Sequence, residues 1–466
     1  MIPVDDENRR FELHRSGAIE VGPSGIRHPR SPRLGGWMRT AWGDVTHVAA
    51  SRAGFRLGTR KGVFLFRALD FRDPSQLGPC AEALAAGAGT APADVERLSR
   101  MSALDRVASR PGRARFAVGL SLLCVAGFVL QSVWPGFHHE GYFSSTLVRV
   151  GESWRIVTAN LLHASVSHLL VNVVGIGVLG WLAERSLGTS RVVLVAGAAG
   201  IGAMLASYAS GYERALGASG IVYGLVGALL CLEFRWPESI PAQWRIPRRA
   251  FLIALVVETV VLLGAPAIAH AAHWGGFAGG ALAVAWLGPR PDAAFGAPSR
   301  PGPTRWALGV LVLALALALG AFVRNVAAPD SAAIAHRGER LLELESVAAD
   351  LLNNEAWQIA ISEQVEPSDL DVARRLAERA VSATESGEPQ FLDTLAEIHF
   401  REGRSAEALE LIDAAIVLAP RERYYQQQRR RFLGERAPED RPEDPGWNPA
   451  PSPEPVLPPG PPPVRV

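Results

Sequence analysis

Gly217-Ala218-Ser219-Gly220-Ile221-Val222-Tyr223-Gly224 opens an apolar run that lasts to Phe234, and Ala271-Ala272-His273-Trp274-Gly275-Gly276 opens another that lasts to about Leu287. The basic residue after each run marks one membrane surface and sets a depth. Ser219 precedes Arg235 by 16 residues, or about 24 Å at a helical rise of about 1.5 Å per residue. His273 precedes Arg290 by 17 residues, or about 26 Å on the same rise. The hydrocarbon core of a bilayer is roughly 30 Å thick. Both residues are therefore expected a few Å below the opposite surface, at nearly one level. A hydroxyl and an imidazole at one depth inside a bilayer point to serine hydrolase chemistry within the membrane.

Working outward, apolar runs long enough to span occur at about Phe116–Val133, Ile156–Leu182, Val192–Ala209, Ser219–Phe234, Phe251–Ile268, His273–Leu287 and Trp306–Val323. Seven spans put four basic segments on one side: Arg110, Arg113 and Arg115; Arg185 and Arg191; Arg235, Arg245, Arg248 and Arg249; Arg290, Arg300 and Arg305. The positive-inside rule makes that side the cytoplasm. The expectation is a multi-pass protein of the bacterial inner (plasma) membrane, with a cytoplasmic N-terminus, an extracytoplasmic C-terminus and its polar residues near the outer face.

The ends differ from this middle. Residues 1–112 read as a small soluble β-rich domain, with candidate strands at Phe11-Glu12-Leu13-His14 and Gly62-Val63-Phe64-Leu65-Phe66 and a helix near Ala81–Ala86. Its short strands, the Trp42-Gly43-Asp44-Val45 segment and the closing helix are similar in pattern to bacterial pleckstrin-homology-like domains. Residues 113–290 form the six-span core, and 291–325 a loop and the seventh span. Residues 346–436 are polar and helical. There Leu392, Leu395, Ala396, His399, Ala408, Ile412, Ala415 and Pro420 fit tetratricopeptide spacing, with an earlier copy at Trp357, Ala360, Ala373, Ala377 and Ala380. Residues 437–466 are proline-dominated and read as a disordered tail.

Bulk composition excludes little. The 466 residues carry a formal charge of +1 with a pI near 7.9, which gives no reason to expect nucleic acid. Cys80, Cys124 and Cys231 suggest neither a disulfide framework nor a metal knuckle. The acidic start, Met1-Ile2-Pro3-Val4-Asp5-Asp6-Glu7, lacks the apolar core of a signal peptide.

A second polar group belongs with Ser219 and His273. The second span is expected to hold Trp154-Arg155, His163, His168 and Asn172. His168 and Asn172, at i and i+4, share one helix face at about the depth of Ser219. Ionisable and amide side chains are costly there and usually face a water-filled interior. Serine is a weak nucleophile that needs a base within hydrogen-bond reach, and His273 is suited to take its proton and return it to the leaving amine. The tetrahedral intermediate needs preorganised donors, which His168, Asn172 and the Ser219 amide are placed to supply. Glu258 lies nearer the cytoplasmic end of its span, so a Ser–His dyad is favoured over a triad.

These residues resemble those of the rhomboid intramembrane serine proteases over roughly residues 115–290. The matching groups are Trp154-Arg155, His163, His168 and Asn172; then Gly217-Ala218-Ser219-Gly220 with Tyr223 and Gly227; then His273 with Gly276 and Gly280. The resemblance implies a six-span helical bundle that hydrolyses transmembrane substrates near their outer end without metal or cofactor. It implies Ser219 as nucleophile, His273 as base, His168, Asn172 and the Ser219 amide as the oxyanion hole, and Tyr223 as a ring packed on the imidazole. Trp154-Arg155 would belong to a structured first outer loop. The cytosolic domain, seventh span and C-terminal repeats resemble one bacterial subgroup.

Plainer readings stand beside these. Ser219 among glycines suits close helix packing, as do Gly276 and Gly280. His163 reads as a structural hydrogen-bonder, His270 as a loop residue and Glu184-Arg185 as a helix end. His138-His139 lacks a nearby third metal ligand. The alternative function is a non-catalytic membrane adaptor or chaperone that binds transmembrane helices and recruits partners through the repeats. Retention of both Ser219 and His273 argues against it. A transporter would be expected to show inverted repeats or unwound half-helices, and the sequence has neither.

Overall fold

The computed structural model describes residues 9–32, 35–51, 53–89, 114–236, 270–288, 303–327 and 330–442, with isolated positions at 95, 98–99, 101–102, 253 and 256. The expected fifth span apart from residues 253 and 256, with Glu258, the basic residues 245–249, Arg290 and most of the proline-rich tail, lies outside them.

The N-terminal region consists of two antiparallel meanders. The first pairs β1 (Arg9–Glu12), β2 (Ala18–Gly22), β3 (Gly25–Ser31) and β4 (Gly35–Ala41) in chain order, and the second pairs β5 (Val45–Ser51), β6 (Gly54–Thr59) and β7 (Gly62–Arg67). Alternation buries Phe11, Ile19, Phe55, Leu57 and Phe66 under α1 (Leu77–Ala88), which adds Leu84. Trp42–Asp44 forms one tight turn between the sheets. The expected strand at 11–14 begins two residues earlier and stops at Glu12, and Leu13 keeps a single bridge to Phe71.

Among the described residues, four helices are long and apolar enough to cross a membrane: α2 (Arg115–Val133), α5 (Val166–Leu187), α6 (Thr189–Ala209) and most of α9 (Pro303–Ala327). The serine helix α7 (Ser219–Arg235) has 17 residues and the histidine helix α8 (His270–Leu287) has 18. His270 is thus the first described residue of a helix rather than a loop residue. Residues of α9 such as Trp306, Val310, Leu313 and Leu317 point outward, as lipid-facing positions do.

The second span needs the largest correction. It was expected to start at Ile156, but the helix starts at Val166 and runs to Leu187, with a widened turn at Ile176–Gly180. Ser165 sets the start: its hydroxyl accepts from the His168 N–H at 3.2 Å. Trp154, Arg155 and His163 therefore precede the span instead of lying in it. They belong to a segment between α2 and α5 made of α3 (Pro135–Gly141), α4 (Ser145–Arg149), one helical turn at Arg155–Thr158 and a tighter turn at Ala159–Leu161. Apolarity alone cannot separate such a segment from the helix that follows. Glu184 also does more than end a helix. Its carboxylate accepts from the Phe116 N–H at 3.0 Å and the Thr189 hydroxyl at 2.7 Å, tying α2 to the turn between α5 and α6.

Six further helices follow: α10 (Ser331–Leu342), α11 (Ala349–Ala360), α12 (Pro367–Ala383), α13 (Pro389–Arg401), α14 (Ser405–Leu418) and α15 (Arg423–Phe432). Small residues Ala360, Ala373, Ala377, Ala396, Ala408 and Ala415 are fully buried between them. The helical body starts at Ser331, earlier than the expected residue 346, because Ile334, Ala335 and Leu341 join the same core.

Within this body Asp393 is buried, accepting from Tyr424 Oη at 3.1 Å and Gln428 Nε2 at 3.2 Å. Burial, and then the nearby Glu397, raise its carboxyl to about 7. A raised acid makes folding favour the protonated form, so its contribution is lost as pH rises from about 4 to 7. Asp393→Asn is expected to slow amide exchange of residues 389–432 at pH 8 and to change it little at pH 4. Equal effects at both pH values would refute this titration.

Candidate active site

Ser219 is the first residue of α7, and the chain reaches it through a left-handed glycine, Gly217, with φ of +118°. A side chain at Gly217 would lie 2.6 Å from the His168 ring, so the glycine is required for His168 to sit over this turn. The Gly217 N–H donates to the Ala159 carbonyl at 2.9 Å. Just upstream, Phe143 and Ala215 exchange two backbone hydrogen bonds of 3.0 and 3.2 Å. The turn before the serine is thus tied to the segment between α2 and α5 by main-chain bonds.

His273 lies one turn inside α8, and its Nε2 is 2.9 Å from Ser219 Oγ. That is the distance of a hydroxyl donating to a ring nitrogen. The imidazole is stacked on Tyr223, four residues after Ser219, with ring centroids 4.2 Å apart and planes 9° from parallel.

Close backbone approach makes this meeting geometrically feasible. A Cβ at Gly276 would collide with the Gly220 carbonyl oxygen, and one at Gly280 with that of Gly224. On another side of α8, a Cβ at Gly279 would lie 2.5 Å from the Ala198 carbonyl oxygen of α6. Glycine and alanine let the three helices touch main chain to main chain.

His168 and Asn172 occupy one face of α5 beside this turn. Asn172 is 2% exposed, and its Nδ2 has no hydrogen-bond partner among the described residues. Buried amide donors are nearly always paired, so a donor left open beside a serine turn is suited to an oxygen that arrives with a substrate. His163 is fully buried, its ring centroid 5.2 Å from that of His168. Its backbone is clamped from α2: the His163 N–H donates to Gln131 Oε1 at 3.0 Å, and Gln131 Nε2 donates to the His163 carbonyl at 2.6 Å.

Trp154 and Arg155 bond within the segment between α2 and α5. Trp154 Nε1 donates to the Glu140 carbonyl at 3.2 Å. Arg155 is completely buried, bonded to Glu152, Glu140 and the carbonyls of His139 and Tyr142. Among the described residues no group of three His, Cys, Asp or Glu side chains is arranged to hold a metal.

This arrangement spans the stretch that matches a known family, the Rhomboid domain, over residues 150–290. That stretch of the chain is a Rhomboid domain. The chain is 31% identical over 260 residues to Rhomboid protease GluP of Bacillus subtilis (strain 168), covering 52% of this chain and 48% of that one. It is 28% identical over 172 residues to Rhomboid protease GlpG of Pectobacterium atrosepticum, covering 35% of this chain and 57% of that one. RHOMBOID-like protein 4 of Arabidopsis thaliana is 33% identical over 142 residues, covering 29% of this chain and 34% of that one. The chain thus spans less than two thirds of these relatives' own length.

Sequence reading did not find Gln131, Glu140, Glu152 or Glu213 as parts of this region. A carboxylate or amide at the end of an apolar run was the available signal. Its partners lie 32 residues away for Gln131 and 67–69 away for Glu213.

Proposed function

We propose that this Rhomboid-domain protein is an intramembrane serine endopeptidase that hydrolyses peptide bonds in or near transmembrane helices of other membrane proteins. The observation that carries the proposal is the 2.9 Å contact between His273 Nε2 and Ser219 Oγ. Ser219 Oγ attacks the scissile carbonyl while its proton passes to His273 Nε2. The resulting oxyanion is held by Asn172 Nδ2, His168 and the Ser219 N–H. Collapse expels the amine, which takes the proton from His273, and water then hydrolyses the acyl-enzyme by the same steps. Tyr223 holds the imidazole plane, and His163, Trp154, Arg155, Gly217, Gly220, Gly276 and Gly280 support the site. The names of the bacterial relatives, both rhomboid proteases, support this reading.

The substrate is a single-span helix that unwinds near its outer end, since helical hydrogen bonding shields the scissile carbonyl. The core has six spans and α9 is a seventh. That places residues 1–112 in the cytoplasm and residues 346–436, read as tetratricopeptide-like repeats that bind protein partners, outside it. A bacterial inner membrane is the setting.

The test is cleavage of a model single-span substrate in liposomes by wild type, with Ser219→Ala as control. Cleavage by wild type alone supports the proposal. Binding without cleavage across a substrate panel would favour an adaptor. Asn172→Ala is expected to lower kcat by about 10²–10³-fold, or about 2.7–4 kcal/mol of barrier, with a smaller change in KM. An unchanged kcat would remove Asn172 from the oxyanion hole.

A further inference from the structure

The segment between α2 and α5, the outer segment of the proposed topology, shares one core with the C-terminal helices. Tyr142, Leu147 and Val150 are buried with Ile334, Leu341 and Leu352, and Leu216, three residues before Ser219, packs on its margin. The same two bodies also share a buried ion cluster. Arg337 of α10 reaches Glu152 at 2.5 Å, Glu140 at 3.3 Å and Glu355 of α11 at 2.6 Å. Glu140 and Glu152 are the same carboxylates that hold Arg155, at 3.3 and 2.5 Å. Burial alone would raise the Glu355 carboxyl, but Arg337 and then His139 hold it below the ordinary carboxylate range. Without Arg337, buried Glu140 and Glu152 would share Arg155 while buried Glu355 kept only His139 at 3.4 Å, and a buried charge without its partner is strongly destabilising.

The strap before the nucleophile is held by both bodies. Glu213 accepts from the hydroxyls of Ser145 at 2.7 Å and Thr146 at 2.9 Å. Arg214 pairs with Asp350 of the C-terminal helices at 2.9 Å. From Ala215 to Gly217 the chain is then tied by main-chain bonds to Phe143 and Ala159.

We propose that the C-terminal helical domain is a positioning component of the active site. Docked on the outer segment through Arg337, it holds residues 213–217 in the path that aims Ser219 at His273. Arg337 touches no reacting atom and acts through this strap as a positioning residue. The inference rests on the protease reading and adds a dependence of turnover on docking, so that whatever loosens these helices lowers turnover.

The experiment compares full-length wild type, Arg337→Met and Arg337→Lys in liposomes, measuring kcat and KM on a single-span substrate and amide exchange of residues 140–155 and 212–218. Arg337→Met is expected to raise exchange in both stretches and lower kcat between about tenfold and 100-fold, the scale of small misplacements of reacting groups. KM is expected to change less than about twofold, and Arg337→Lys to recover part of kcat. Should Arg337→Met fail to fold, Asp350→Arg tests the same link at a half-exposed pair: it is expected to lower kcat, and the reversed pair Arg214→Asp with Asp350→Arg to restore it. Faster exchange with wild-type kcat, a rise in KM alone, or unchanged exchange would each overturn the inference while wild type still cleaves. No cleavage by wild type would overturn the protease reading and this inference together, and the exchange data would show whether the helices dock regardless.

Discussion

Ser219→Ala and His273→Ala are each expected to lower kcat by about 10⁴-fold or more, and the double variant to be no slower than either alone. The non-additivity is the sharper half of the prediction. A hydroxyl without its base is a poor nucleophile, and a base without its nucleophile has no proton to take. Removing either therefore removes the whole step carried by the 2.9 Å contact. Substrate affinity is expected to stay close to wild type, because neither side chain makes a binding contact that the lost step does not use. The measurement is single-turnover cleavage in liposomes, with exchange of residues 212–218 read in parallel to verify the fold. Independent losses that multiply in the double variant would show that Ser219 and His273 do not act as one unit. Wild-type cleavage by either single variant would remove that residue from the chemistry.

Gly280→Leu is expected to lower turnover by on the order of 10²-fold or more without touching any polar residue of the site. A Cβ at Gly280 has no room, since its place is taken by the Gly224 carbonyl oxygen, and Gly276 stands in the same relation to Gly220. Backbone cannot give way as a flexible side chain can, so α7 and α8 must separate. A shift of about 1 Å opens the Ser219–His273 hydrogen bond beyond useful length and costs on the order of 10²-fold or more in rate. Overpacking should also lower the unfolding free energy by about 1–3 kcal/mol. Gly309→Leu in α9 is the control, since a Cβ there meets nothing within 4 Å. It is expected to keep wild-type activity and thermal midpoint. Wild-type turnover by Gly280→Leu would show that close packing of α7 on α8 is not what brings the two residues together.

Much of this protein is local and therefore visible along the chain. Apolar run length marks α2, α6 and α9 because a bilayer imposes that length on any helix that crosses it. Depth counting puts Ser219 and His273 at one level because helical rise is constant. Alternation exposes the strands at the N-terminal end, and small residues at helical spacing mark the packed faces of α12 to α14.

What the chain order hides is which distant groups meet. The helix start at Val166 depends on a Ser165 cap inside a stretch that is apolar on both sides, so Trp154, Arg155 and His163 read as part of the span when they belong to a folded segment between α2 and α5. Gln131 is a polar residue near a helix end until the fold sets it against the His163 backbone. Arg337 lies 185 residues from Glu152 and 197 from Glu140, and nothing local to it shows that both carboxylates are its partners. The sequence by itself determined the apolar helices α2, α6 and α9 and the helical C-terminal body, because these follow from run length and periodicity. Only the tertiary structure decided that the C-terminal helices sit on the segment that leads to Ser219, because a buried charge is matched in space and not along the chain.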